Sequence, residues 1–145
     1  MTYILTDRFV REHNLAVLLR TACDSIRNQL DVALSAHDVN FHQMSMLVAV
    51  SNGAARSPAE ISRLLRVDPA VVTRALDRLE VRNLIERLRN QTDRRTVHVL
   101  LTPTGEQIVA QLCEIASRVL GGKLDRFSKI ELEKLEDLLL KLMTD

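Results

Sequence analysis

Tryptophan is absent, and Tyr3, Phe9, Phe41 and Phe127 are the only large aromatic side chains. So small an aromatic set makes a ring-lined ligand pocket hard to build. Cysteine is almost as scarce. Cys23 and Cys113 stand 90 positions apart with no CxxC pair, which excludes a disulfide-stapled small domain and offers no zinc or redox motif. Both fall on apolar sides of expected helices, where a buried thiol is the default. Uninterrupted apolar runs last only a few residues, too few to span a bilayer. The opening residues lack the basic start and apolar stretch of a secretion signal, so the chain is read as cytoplasmic, with reduced thiols and no membrane partner. A glycine-rich phosphate loop, a GxSxG elbow and paired catalytic carboxylates are all missing, so no enzyme, catalytic residue or cofactor is expected. His13, His37, His42 and His98 show neither HxxxH nor HExxH spacing, and no metal site is assigned. What remains is ordinary in bulk: 145 residues, 46% apolar and 27% charged, the make-up of one globular domain or one domain with a helical extension.

The net charge of +1 is informative only once divided along the chain. Residues 56–95 hold ten arginines and no lysine against six acids, a local charge of +4. The other 105 residues carry ten basic and thirteen acidic groups, hence −3. A basic middle built only from arginine, between acidic flanks, points to phosphate contact. Some of these arginines are expected to brace helices instead.

Helix signals are dense. Leu15, Leu18, Leu19, Ala22, Ile26, Leu30, Ala33 and Leu34 recur at spacings of three and four, one stripe of a helix reaching to about Ala36. Asn40 with Gln43 three residues later marks a capping box and a second helix through Leu47, closing at Ser51-Asn52-Gly53. Ser57-Pro58-Ala59-Glu60 opens a short helix as a capping box with proline at its first position. Asp68-Pro69 opens another, with Val72, Ala75, Leu76 and Leu79 inward. Two short helices so close together make a helix-turn-helix.

The period then changes. Residues 84–89 and 96–101 alternate like strands around the polar stretch Asn90-Gln91-Thr92-Asp93-Arg94-Arg95, so a β-hairpin is expected. Thr102-Pro103 caps a further helix, which Gly121-Gly122 should weaken or kink. Ser128 with Glu131 caps a last helix striped by Leu132, Leu135, Leu138, Leu139 and Leu142. A helix-turn-helix followed by a hairpin is a winged helix, whose second short helix enters the major groove of DNA. The fold class is therefore mainly α with a small β-hairpin wing. It divides into an N-terminal dimerisation helix (1–36), a winged helix-turn-helix (40–101) and C-terminal dimerisation helices (102–145). The outer apolar stripes are most simply buried against a second copy, which supplies the two-fold symmetry that such proteins use on DNA.

These residues resemble the MarR family of transcription regulators. Asp93-Arg94-Arg95-Thr96-Val97-His98-Val99-Leu100-Leu101-Thr102-Pro103-Thr104-Gly105 matches the family's wing signature, D-x-R, five residues, L-T-x-x-G, without a gap. Residues 59–65 and 71–80 look like its helix-turn-helix. The family's usual Gly-Leu before the first wing strand is Asn83-Leu84 here, asparagine being the next best residue for a left-handed helix end. Pro69-Ala70 offers fewer hydrogen-bonding groups than the Ser and Thr often found there.

The recognition helix presents Pro69, Ala70, Thr73, Arg74 and Asp77 away from its apolar face. Thr73 and Arg74 are expected to reach base edges, Arg74 matching guanine O6 and N7 or clamping a phosphate, and Ala70 to touch a thymine methyl. Ser57, Ser62, Arg63 and Arg66 would position the DNA backbone. Arg94 and Arg95 are candidates for the minor groove. Asp93 would stabilise the wing, and the resemblance makes Arg95 its partner. Arg78 and Arg82 read as structural, pairing with acids such as Glu80 or Glu86. The resemblance implies a homodimeric, sequence-specific regulator, most often a repressor, on a pseudo-palindromic operator. It also implies a small-molecule effector bound between dimerisation helices and winged helix, for which Arg20, Phe41, His42 and Met46 are candidates. The alternatives are a dimeric winged-helix module for protein contacts, and a redox- or metal-responsive regulator.

Overall fold

The computed structural model describes residues 6–144, so Tyr3 lies outside the described residues. The first helix, α1 (Asp7–Leu34), starts on Thr6, whose hydroxyl accepts the Phe9 N–H. It closes in a 3-10 turn, Ser35–His37, which ends on Asp38 in the left-handed region at φ 53°. The predicted end near Ala36 lies in that turn. The helix α2 (Phe41–Ser51) carries the expected reciprocal cap: Asn40 Oδ1 accepts the Gln43 N–H at 2.9 Å and Gln43 Oε1 accepts the Asn40 N–H at 3.1 Å. Asp31 of α1 accepts the Phe41 N–H at 2.7 Å and so sets where α2 begins.

Next come α3 (Pro58–Leu65) and α4 (Pro69–Val81), the predicted helix-turn-helix. Ser57 caps α3 by accepting the Glu60 N–H, but the capping box is only half formed. The Glu60 carboxylate reaches one residue further back and accepts the Arg56 N–H at 2.6 Å. Asp68 caps α4 by accepting the Ala70 N–H at 2.8 Å. The turn between them is closed by Arg66 at φ 51°.

The hairpin pairs β1 (Ile85–Arg89) with β2 (Val97–Leu101) antiparallel, Arg87 opposite Val99. Both strands are one residue shorter than the spans expected from alternation. Leu84 is drawn back by its N–H bond to Leu79 O, and Thr96 is held in the tip by its bond to Asp93 O. Val99 N–H donates to Arg56 O at 2.8 Å, fastening β2 to the loop before α3.

Asn83 has the expected left-handed conformation, φ 57°. Thr102 then joins three elements. Its hydroxyl donates to Asn83 O at 2.6 Å and accepts the Gly105 N–H at 3.0 Å, while its own N–H donates to Leu84 O at 3.1 Å. A Cβ at Gly105 would stand 1.9 Å from Leu84 O, a backbone atom, so only glycine fits where α5 crosses the root of β1.

Helix α5 (Pro103–Leu124) runs unbroken through Gly121 and Gly122, against the expectation of weakening or a kink there. Each glycine costs about 1 kcal/mol relative to alanine in a helix interior. Both lie in the last turn, however, of a 22-residue helix already anchored by buried Val109, Leu112 and Ala116. The last helix is α6 (Lys129–Met143), capped reciprocally by Ser128 and Glu131.

The core forms around α2, whose Met46 and Leu47 have no solvent exposure. Leu30 and Leu34 of α1, Ile61 of α3, Val72, Leu76 and Leu79 of α4, Ile85, Val99 and Leu112 close over it. Burying each such side chain fully contributes about 1.5–3 kcal/mol. The core thus holds the end of α1, the helix-turn-helix, the hairpin root and the start of α5 as one unit. By contrast Leu15 and Leu18 of α1 are 53% and 66% exposed, and Leu138 and Leu142 of α6 are 55% and 60% exposed. Cys23 and Cys113 are exposed as well, not buried as expected, because a single chain leaves those parts of α1 and α5 uncovered. Among the described residues, no helix is long and apolar enough to cross a membrane.

Candidate nucleic-acid interface

The second helix of the helix-turn-helix turns Val72, Leu76 and Leu79 into the core. This leaves Pro69, Ala70, Thr73, Arg74 and Asp77 facing solvent, as their spacing predicts. The Thr73 hydroxyl donates to Pro69 O at 2.9 Å, so its proton is engaged within the helix although the residue is exposed. Arg74 belongs to none of the ion pairs among the described residues.

The residues expected to position a phosphate backbone fall into two groups. Arg63 is exposed and free of any ion pair among the described residues. Ser57 and Ser62 are partly buried and tied into the motif, Ser57 as the α3 cap and Ser62 by donating to Val67 O at 2.6 Å. Arg66 closes the turn in a left-handed conformation, and its guanidinium donates to Met143 O at 3.4 Å, beside the end of α6.

The structure redraws the bracing arginines. Arg82 does not pair with Glu80 or Glu86. It donates instead to Asp38 O at 2.6 Å and His37 O at 2.7 Å, fastening the end of α4 to the turn after α1. Arg78 pairs with no acid among the described residues and lines a cleft with Arg82. Glu80 is taken by Arg87 of β1, to which the sequence reading assigned no role. Arg87 Nη2 lies 2.6 Å from Glu80 Oε2 and 2.5 Å from Asp77 Oδ1, and its backbone N–H donates to Glu80 Oε1 at 3.2 Å. Hydrogen bonding from Arg87 holds the Glu80 carboxyl below its ordinary range, and the same bonds to Glu80 and Asp77 raise the Arg87 guanidinium. The signal was present in strand alternation: Arg87 shares a face with buried Ile85, and that face meets α4.

At the wing tip, Asp93 stabilises the turn through backbone and hydroxyl rather than through a guanidinium. Its Oδ1 accepts the Arg95 N–H at 3.0 Å and its Oδ2 accepts the Thr96 hydroxyl at 3.1 Å. This corrects the side-chain pairing expected between Asp93 and Arg95. Both Asp93 oxygens are engaged by these two donors, and Arg94 and Arg95 are exposed, without an ion pair among the described residues.

The expected effector residues do not converge. Met46 is fully buried, Arg20 reaches Asp24 along α1, and exposed His42 leans on Phe41 with ring centroids 5.9 Å apart. A cleft of about 600 Å³ opens nearby, between the end of α1, the start of α2 and the Asp77–Arg82 flank of α4.

Comparison with known proteins follows the same outline. Residues 37–96 match the sequence model described as MarR family. The chain is 34% identical over 115 residues to the multiple antibiotic resistance protein MarR of Escherichia coli, covering 79% of this chain and 80% of that protein. A cysteine-to-serine mutant of the same protein, solved in complex with operator DNA, superposes with a TM-score of 0.83 at 29% identity, over 96% of this chain and all of the other. CouR of Rhodococcus jostii, solved with p-coumaroyl-CoA, shares the fold with a TM-score of 0.81 at 19% identity, over 88% of this chain and 90% of its own.

Proposed function

The chain belongs to the MarR family of transcription regulators, and on that footing we propose that it works as a homodimer that reads a pseudo-palindromic operator and represses transcription. The α4 helix enters the major groove, with Ala70, Thr73 and Arg74 toward the bases. Ser57, Ser62, Arg63 and Arg66 position the backbone. The wing carries Arg94 and Arg95 to the adjacent minor groove, with Asp93 shaping its tip. Residues 1–36 and 102–145 dimerise and residues 40–101 read DNA, at half-sites about one helical turn apart, roughly 34–36 Å.

One observation carries this reading. Arg74 on the outer face of α4, Arg89 on β1 and Arg94 and Arg95 at the wing tip belong to no ion pair among the described residues, while Arg87 is paired with Asp77 and Glu80. Charge is therefore left where a duplex would lie. The uncovered stripes of α1 and α6 support the dimer, since exposed apolar patches of that length mark association surfaces. The protein performs no catalysis, acts in the cytoplasm at the nucleoid, and releases DNA when a small-molecule effector binds.

The test is selection of a bound sequence from a random duplex library, followed by footprinting on the selected site. A two-fold protected pattern over two half-sites is expected. Failure to enrich any duplex overturns the reading in favour of a protein-contact module.

A further inference from the structure

Along β1, residues 85, 87 and 89 share one face, the face turned toward α4. Ile85 is buried at its root and Arg87 is consumed by Asp77 and Glu80. Arg89 comes next, roughly 6.6 Å further toward the tip at the usual rise per strand residue. It is exposed and belongs to no ion pair among the described residues. With Asn90, Gln91 and Arg94 it lines an open concavity of about 480 Å³. The acceptor of Asn90 is already engaged, because Oδ1 takes both the Thr92 N–H at 3.0 Å and the Thr92 hydroxyl at 2.7 Å. Its amide NH2 is left to donate. The hollow is thus framed by two guanidinium groups and an amide donor, a set suited to an anion with several acceptor oxygens.

Its position says which anion. With α4 in the major groove and the wing tip in the minor groove, one sugar–phosphate strand must pass between them, across the stretch of β1 that Arg89 occupies. We infer that Arg89, helped by Asn90 and Arg94, clamps a phosphate of the strand that separates the two grooves, and so sets how far the wing slides along the duplex. Arg87 and Arg89 divide the work: the first fixes the wing to the recognition helix, the second fixes that unit to the DNA backbone. The inference rests on the proposed function, and its test separates the two.

The full chain is compared with Arg89→Gln and Arg89→Lys on a 30-base-pair duplex selected by the wild type (roughly three helical turns). Affinity is measured across a salt series, and phosphate ethylation interference is mapped on the same duplex. The wild type should show a steep fall of log affinity with log salt. Arg89→Gln should flatten that slope by about 1.8 per dimer, about 0.9 for each lost contact, with unchanged base preference. One phosphate per half-site, between the grooves, should lose its interference signal in Arg89→Gln. Arg89→Lys should keep the wild-type slope, since the charge remains. An Arg89→Gln slope and ethylation pattern equal to wild type would overturn the clamp while leaving the proposed function standing. Altered base preference would overturn it in favour of base contact. A wild-type chain that binds no duplex removes the proposed function and this inference together.

Discussion

Glu80 of the recognition helix accepts three hydrogen bonds from a single wing residue, Arg87: from its backbone N–H at 3.2 Å, from Nε at 3.1 Å and from Nη2 at 2.6 Å. The helix that would read the major groove and the strand that would carry the minor-groove contact are joined by this one residue pair, with Asp77 as a second acceptor. Arg87→Ala should destabilise the fold by about 1 kcal/mol, a value discounted for solvent screening because the Glu80 side chain is 39% exposed. At fixed protein concentration the melting midpoint should fall by roughly 3 °C, and duplex binding should weaken while the dimer persists.

The same pair makes a pH prediction. The folded Glu80 carboxyl titrates below its ordinary value of 4.5, so it binds fewer protons in the folded than in the unfolded state near that pH. Its contribution is fully present above pH 4.5 and is lost as pH falls through the depressed folded value. Urea unfolding of wild type and Glu80→Gln at pH 7 and near pH 3 checks this. The stability gap between the two proteins should be largest at pH 7 and shrink in acid; a gap that widens in acid contradicts the assignment.

Gly105→Ala should be among the most damaging small substitutions in the chain. The added Cβ would sit 1.9 Å from Leu84 O and 2.9 Å from Leu84 C, both backbone atoms, the first of which also accepts the Thr102 N–H. Relief requires α5 to move off the wing root, at a cost of about 3 kcal/mol, the upper end of the usual overpacking range. Chemical denaturation reads the loss directly, and a midpoint unchanged from wild type would show that the crossing is looser than described.

Arg95→Ala should weaken duplex binding several-fold or more with no change in melting midpoint, because its side chain makes no contact that the fold depends on. Asp93→Ala should weaken binding too, for a different reason. It releases the Arg95 N–H and the Thr96 hydroxyl together and lets the tip spread. A salt-controlled titration of both variants checks the pair of effects; wild-type affinity in Arg95→Ala would remove that residue from the interface.

Leu138→Asp should convert the dimer to monomer. Leu138 is 55% exposed in the single chain, in the middle of an α6 stripe with no buried residue of its own. A carboxylate placed in an apolar interface costs several kcal/mol unless it is paired. Light scattering on the purified protein should report half the wild-type mass, with folding of residues 40–101 retained by circular dichroism.

Local chemistry made most of the fold legible. The Asn40–Gln43 and Ser128–Glu131 boxes, the Pro58 and Pro69 helix starts and the left-handed Asn83 act within a few residues of themselves, so their outcome is written into neighbouring side chains. The partners of Arg82 and Arg87 were not legible. Arg82 reaches carbonyls 44 and 45 positions away, and several acids compete for each arginine at similar distance in sequence. The exposure of Cys23 and Cys113 is not legible for a related reason: an apolar stripe shows that a helix face can be covered, not that its own chain covers it.

The sequence alone determined the order of elements, the local caps and the concentration of arginine in residues 56–95, because these depend on periodicity and on neighbours. Tertiary structure decided which of those arginines are spent and which remain free. Arg87 is neutralised by Asp77 and Glu80 and Arg82 is tied to backbone carbonyls, while Arg74, Arg89, Arg94 and Arg95 are left without an ion pair among the described residues. Charge is a property of composition, but its availability depends on which groups the packed helices and strands bring within hydrogen-bonding reach.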